Sequence, residues 1–566
     1  MKLPSLAVCV IARNEEENME RCLASVRSLA DEIIVVDTGS IDATPVIAES
    51  MGARVVSSAW EMDFSRARNE ALEQVRSGWV LMVDADEQVT DCDPADLKSK
   101  LTGAPDGMDA FSVRIDNLLD GGGAASFRAV RLFRSHKDIR YRGVIHEDVT
   151  RSLMERNGRP VCPGQAPLTL THWGYLRGER VRQNKARRNL KLLERAVGAD
   201  PRQALMRFML ARELLIVSGE RIFPGDRFQE AVENLLKARE AAVAEGVPEH
   251  LRCGILATLA AAYTADARPD RALEVLGISF QRPASGDVLP PGASSGCSKN
   301  LPEKVDPASP SGVALAFARG RAWLAAAGED KDKLRLAARL LGDLQERRPA
   351  VGFLDLDSRV TGIFAMERQA EALGRLGEKK RAMVLLKTAA DLADSYAGPL
   401  IRQAELHLLE GEVQQGFKAY ADALGRDDHD PEAWLGTARL LNVLGERNQA
   451  SDCVGHALSL VPLWGQALVE QAVTRFLQGD AGMLLEEQSR LRLASPEADV
   501  VCLLAEALDG RPLTGIRPWP NRSVARAMMS VTQGLVSGGR PDLLRRLQEV
   551  LPNPGEGQGA AVAGNG

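Results

Sequence analysis

Two aspartates one residue apart, Asp84-Ala85-Asp86, close the apolar run Trp79–Asp84 (WVLMVD). Carboxylates at the end of a segment bound for a core cost stability unless something uses them. On an extended segment alternate side chains point the same way, so Asp84 and Asp86 can share one ligand. Carboxylate oxygens are hard donors suited to Mg2+ or Mn2+, ions that in turn hold substrate phosphates. The spacing alone also admits a polar turn with an aspartate cap. Asp37 closes a second apolar run and Arg13-Asn14-Glu15 follows a third.

The elements that must position these groups are legible in the first 180 residues. Leu6–Ile11 (LAVCVI), Glu32–Asp37 (EIIVVD), Arg54–Ser57 and Trp79–Asp84 are β-rich runs. Helical stretches separate them at Glu15–Leu29, at 42–51 and at Ser65–Arg76. Continuous apolar strands alternating with helices predict a parallel sheet covered on both faces. Ligands of such sheets bind beyond the carboxyl ends of the strands, where Glu15, Asp37, Asp84 and Asp86 fall. Three more runs, Ala110–Ile115, Ser126–Phe133 and Arg140–Val149, predict an antiparallel extension forming the far wall of a cleft.

The ordered segments VCVIARNEEENMERCLASV, EIIVVDTGSIDAT, DFSRARNEAL and WVLMVDADE resemble family two of the inverting glycosyltransferases, which has a GT-A fold. The likeness covers about residues 4–178. With the repeats described below, it resembles a bacterial subgroup related to peptide S-glycosyltransferases. The resemblance implies that Asp86 binds a divalent ion, Mg2+ or Mn2+, bridging the diphosphate of a nucleotide sugar. It implies that Asp84 contacts the ribose or the metal's water shell, that Asp37 and Glu15 hydrogen-bond the base or ribose, and that Arg68 lines the nucleotide pocket. Arg13 is a further nucleotide-binding candidate. A UDP-sugar is the expected donor.

An inverting transfer needs a general base to take the acceptor's proton during attack. In Tyr141–Asp148 (YRGVIHED) the His146-Glu147 pair resembles the subgroup's motif, which makes Glu147 the first choice and Asp148, with the opposite strand facing, the alternative. Many enzymes of this fold complete the metal site with a late histidine, a role that falls to His172; an imidazole suits Mn2+ better than Mg2+. The basic stretch with Lys185, Arg187 and Arg188 either steadies the departing diphosphate or is a solvated helix face.

From Arg180 to about Val550 the chain reads as helices. Gly377, Gly411, Gly445 and Gly479 recur every 34 residues, with Ala370, Ala404, Ala438 and Ala472 in the same frame. That is the period of tetratricopeptide helix pairs, in which small residues let helices approach and glycine makes the turn. The stretch Trp434 to Pro462 resembles that family closely. The expected organisation is an α/β GT-A nucleotide-sugar-binding domain (1–180), a connecting helix (181–200), degenerate helical repeats (201–281), a flexible insertion (282–312), an all-α tetratricopeptide-repeat solenoid (313–550) and a disordered tail (551–566).

Composition bounds the function. At 566 residues, 45% hydrophobic and 26% charged, the chain is globular and too long for one core. A net charge of −6 supplies no basic field for nucleic acid. The eight cysteines form no C-x-x-C pair, and no run approaches a membrane span or a secretory signal, so a cytoplasmic location is expected. Tetratricopeptide grooves usually bind extended peptides, which favours a protein or peptide acceptor. A lipid-linked or polysaccharide acceptor, or an idle scaffold that binds a protein partner, are the alternatives.

Overall fold

A computed structural model describes residues 5–478 apart from 106, 119–123, 160, 174–178, 220–225, 267, 278–304, 348–355, 394 and 462–463. The tail, the repeats expected after 478 and most of the expected insertion therefore lie outside the described residues. They divide into two compact units: residues up to 213 with 231–328 and 339–365, and residues 214–230, 329–338 and from 366 onward.

The first unit is built on a mixed sheet. Strands β1 (Leu6–Ala12), β2 (Glu32–Asp37), β3 (Arg54–Ser57) and β4 (Trp79–Asp84) lie parallel in the order β3-β2-β1-β4. Their Val, Ile and Leu content suits strands buried on both faces. On one face Val8, Val10, Leu81 and Val83 pack with Met19, Cys22, Leu23 and Val26 of α1 (Glu16–Val26), whose spacing makes one apolar stripe. On the other, Cys9, Ile34, Val36, Val80 and Met82 meet a second core. Ala71 and Leu72 of α3 (Phe64–Glu73) belong to it; α2 (Thr44–Ser50) precedes β3. Asp63 caps α3 by accepting from the Arg66 amide.

Beyond β4 the sheet turns antiparallel. It continues through β7 (Ala124–Arg134), β6 (Ala110–Leu118), β8 (Gly164–His172) and β5 (Glu87–Cys92). Asp84, Ala85 and Asp86 therefore sit at the hinge between β4 and β5. Helix α4 (Pro94–Thr102) covers one face. A two-residue strand β9 (Leu356–Asp357) pairs with Ala125 and Ser126 of β7.

The run 140–149 is not the strand expected from the sequence. Gly143 (φ +104°) and His146 (φ +52°) break the extended path, leaving a loop with one bridge between Arg142 and Asp148 before α5 (Thr150–Asn157). The Phe64 amide donates to the Val144 carbonyl, tying this loop to the start of α3.

Apart from β9, the regular structure of the rest of the described chain is helical, beginning with α6 (Glu179–Ala199) and α7 (Ala204–Gly219). A helix already starts at Pro310, capped by Ser309, inside the stretch expected as a flexible insertion. In the second unit, helices pair across left-handed glycines: Gly377, Gly411 and Gly445 have φ of +83°, +75° and +84°. Ala370, Ala404, Ala438, Ala423, Ala450 and Ala457 are all buried at the helix contacts, which is where the 34-residue frame places small residues.

Candidate active site

Asp84 is held by two arginines. Its Oδ1 accepts from Arg68 Nη2 at 2.7 Å and its Oδ2 from Arg131 Nη2 at 2.9 Å. Burial works to raise its pKa, but Arg131 and Arg68 overcome that and hold the carboxyl well below the usual carboxylate range. Arg131 reaches this position because a bulge interrupts the β6–β7 pairing: Phe111 pairs with Leu132 and Ser112 with Val130, leaving Arg131 between them. Bulges of this kind re-aim a side chain. Arg131 also contacts Glu87 Oε1 at 3.3 Å, while Glu87 Oε2 accepts the Asp84 backbone N–H at 2.8 Å. Glu87 is 2% exposed, and burial pushes its carboxyl up to about 7 against the pull of Arg131.

Arg68 joins this corner to the loop. Its Nε donates to Glu147 Oε1 at 2.6 Å and its guanidinium lies 5.4 Å from the Tyr141 ring centroid. Arg68 Nη1 is buried without a hydrogen-bond partner, which leaves a donor for a ligand oxygen. Glu147 Oε2 is left outside this bond. Asp148 is spent differently: it is exposed and its Oδ1 accepts the Thr150 amide at 2.7 Å, opening α5.

Asp86 turns the other way. Its Oδ2 lies 3.2 Å from His172 Nε2. His172 Nδ1 lies 2.9 Å from Asn117 Oδ1, an acceptor that assigns the Nδ1 proton and points Nε2 at Asp86. Burial would lower the His172 pKa, but the Asp86 hydrogen bond and charge raise it. His172 has this environment because β8 is flanked by both neighbours: it pairs with Glu87 on β5 and with Asn117 on β6. One carboxylate oxygen and one oriented imidazole nitrogen at this separation fit a divalent cation such as Mn2+. Among the described residues, Asp84, Asp86 and His172 do not form a three-donor cluster. The two aspartates do not point the same way from an extended segment, because a turn at 85–86 replaces it.

The loops after β1 and β2 lock together. Asp37 is buried and its carboxylate accepts from the Gly39 and Ser40 amides, Gly39 having φ +96°. Asn14 (φ +55°) accepts the Ile41 amide and donates its own N–H to Ser40 Oγ. The Glu15 amide donates to Thr44 Oγ1, and its carboxylate accepts from Asn18 Nδ2. Arg13 is exposed beside them. Arg188 of α6 lies 5.1 Å over the Phe64 ring; burial lowers its pKa, against the fields of Glu213, Asp86, Glu15 and Glu147. The side chains of Lys185 and Arg187 lie outside the described residues.

Sequence reasoning missed Arg131, Glu87 and Asn117. Glu87 follows the D-A-D triplet directly, and a third acid at the end of a buried strand was the available signal. Arg131 is one of three arginines on β7, and only the bulge distinguishes it.

Residues 7–126 match the family model described as glycosyl transferase family 2. This segment is a family-2 glycosyltransferase domain. The glycosyltransferase domain carries β1 to β6 of the sheet, with Asp37, Arg68, Asp84 and Asp86 inside the match and Glu147 and His172 after it. A TPR repeat-containing protein of Synechococcus elongatus is 36% identical over 209 residues, 36% of this chain and 51% of that protein. The SPbeta prophage-derived glycosyltransferase SunS of Bacillus subtilis is 27% identical over 240 residues, 42% of this chain and 53% of that protein. The chain thus spans about half the length of these curated relatives. A crystal structure of glucosyl-3-phosphoglycerate synthase from Mycobacterium tuberculosis with Mn2+, UDP-glucose and phosphoglyceric acid is 26% identical; the match covers 21% of this chain and 45% of that one, with a TM-score of 0.17. No helix among the described residues is long and apolar enough to cross a membrane.

Proposed function

We propose that this protein moves a sugar from a nucleotide-diphosphate sugar, a UDP-sugar above others, to a side chain of a protein or peptide, with inversion and with Mg2+ or Mn2+ as cofactor. The observation that carries the reading is the Asp86–His172 pair, two metal-type donors 3.2 Å apart at the carboxyl end of β4 in a family-2 glycosyltransferase domain. When bound there, the cation would neutralise negative charge that develops on the departing diphosphate.

The chain's own residues then divide the work. Asn117 fixes the His172 ring so that Nε2 faces Asp86. Arg131 and Arg68 hold Asp84 for the ribose, and Glu15 and Asp37 stand in the neighbouring loops for base or ribose, with Arg13 at their exposed edge. Glu147 is the general base: Arg68 grips Oε1, so the same guanidinium that orients Asp84 sets the distance from base to donor. Asp148 serves worse, because its carboxylate is engaged by the Thr150 amide at the start of α5. The helix pairs of the second unit support a peptide acceptor, since paired helices stacked at a fixed period form the grooves that take extended chains.

The test is release of UDP from a panel of UDP-sugars by the full-length protein, with Mn2+ and then with EDTA. Release that EDTA abolishes supports the reading. No UDP release and no UDP binding with Mn2+, or with Mg2+ in its place, would overturn it.

A further inference from the structure

On β6 and β7, the side of the sheet that Asp84 faces is apolar as far as Ala110, Phe133 and Val130 and turns polar beyond them. Val80 and Met82 precede Asp84 on that face and belong to the core that Val130 of β7 also touches. Two residues on from Val130 along that face is Arg128, and its register partner on β6 is Arg114. Like charges directly opposite in an antiparallel pair destabilise a sheet, so a cross-strand arginine pair calls for a compensating anion.

The chain supplies half of one. Asp116 Oδ1 accepts from Arg114 Nε at 2.8 Å and from Ser126 Oγ at 2.7 Å, so it neutralises Arg114. Among the described residues Arg128 has the Ser112 carbonyl, at 3.4 Å from Nη1, and no carboxylate. Burial and the Arg114 charge pull Arg128 below the usual guanidinium range. Both side chains remain accessible, Arg114 at 41%. Asp357 of β9 does not serve Arg128: it pairs opposite Ala125, whose neighbours on that face point into the other core, and it is bound to Arg359.

The pair also lies in the right place. Leu81 of β4 is level with Leu132 of β7, and the strands run in opposite directions. Three residues up β4 is Asp84 and four residues back along β7 is Arg128. With the extra residue of the bulge at Arg131, the count brings the two to about the same level of neighbouring strands, past the end of the β4–β7 ladder.

We infer that the β6–β7 face beside Asp84 is the acceptor floor of the site, and that Arg128 with Arg114 binds an anionic group, a carboxylate or a phosphate, carried by the acceptor. This rests on the glycosyltransferase reading above and adds to it the charge of the acceptor. A guanidinium offers paired donors to either anion.

The experiment is calorimetric titration of the full-length protein, loaded with Mn2+ and UDP, with three probes: a pentapeptide with aspartates on both sides of a serine, its asparagine counterpart, and glycerol phosphate. Arg128→Gln and Arg114→Gln are titrated alongside, with melting curves to confirm folding. The acidic peptide or glycerol phosphate should bind at least about tenfold tighter than the asparagine peptide, about 1.4 kcal/mol, and Arg128→Gln should remove that preference. Preference for the peptide assigns a carboxylate, and preference for glycerol phosphate assigns a phosphate. Equal binding of all three probes, or a preference that survives in both variants, overturns the inference. Failure of UDP itself to bind would instead strike at the glycosyltransferase reading.

Discussion

Arg131→Met tests whether the acidic corner depends on a residue that no motif marks. In the native chain Arg131 is 16% exposed and bridges Asp84 at 2.9 Å to Glu87 at 3.3 Å. Methionine fills part of the space but removes the charge, leaving Glu87, 2% exposed, without an ion-pair partner among the described residues. Breaking a buried pair from one side costs about 3–5 kcal/mol, because the partner charge stays behind. At roughly 2–4 °C per kcal/mol for a domain of this size, the transition should fall by about 6–20 °C. The relevant transition is the one that UDP with Mn2+ shifts upward, since a ligand of the native state stabilises the unit that binds it. Adding Glu87→Gln should recover much of the loss, as a neutral amide keeps the hydrogen bond from the Asp84 amide without a stranded charge. A melt within about 2 °C of the native protein would show that the corner holds without Arg131, as would a double variant no more stable than Arg131→Met alone.

Three further outcomes follow from the same geometry. Glu147→Gln should retain donor affinity and lose about 10²–10⁴ in UDP release, the usual range for a general base; equal losses in both would make Glu147 a binding residue. Glu367 is 2% exposed and accepts from the Tyr396 hydroxyl at 3.1 Å, and burial raises its carboxyl to about 7 from an ordinary 4.5. A raised folded value means its contribution is full below about pH 4.5 and is lost as pH rises through about 7, a span worth about 3 kcal/mol at most. Glu367→Gln should therefore melt higher than the native protein at pH 8 and close to it at pH 4.5, and a melting difference independent of pH counts against that. A Cβ at Gly436 would sit 2.3 Å from the buried Tyr420 ring, so Gly436→Ala should cost about 1–3 kcal/mol in denaturant melts, and an unchanged midpoint would show that the ring yields freely.

Much of the fold is legible in the amino-acid sequence. The runs LAVCVIA, EIIVVD and WVLMVD could only be buried parallel strands, and the 34-residue glycine frame could only be repeated turns, since Gly377, Gly411 and Gly445 all adopt a positive φ. What sequence could not carry were long-range facts. The run 140–149 carries the β-favouring residues Tyr141, Val144, Ile145 and Val149, but two left-handed residues fold it into a loop whose docking on α3 is tertiary. The separation of Asp84 from Asp86 follows from the turn between β4 and β5, and β5 itself alternates too weakly to announce a strand. Arg131 and Asn117 enter only through a bulge and through strand order, which a linear pattern does not encode.

The proposed chemistry depends above all on Asp86 and His172 holding a cation that anchors the donor's diphosphate. UDP affinity by calorimetry, with Mn2+ and with EDTA, in the native protein and in Asp86→Asn, reads that anchoring directly. Mn2+ should tighten UDP binding by about tenfold or more in the native protein, about 1.4 kcal/mol, and by nothing measurable in Asp86→Asn. The same Mn2+ enhancement in both proteins would contradict it.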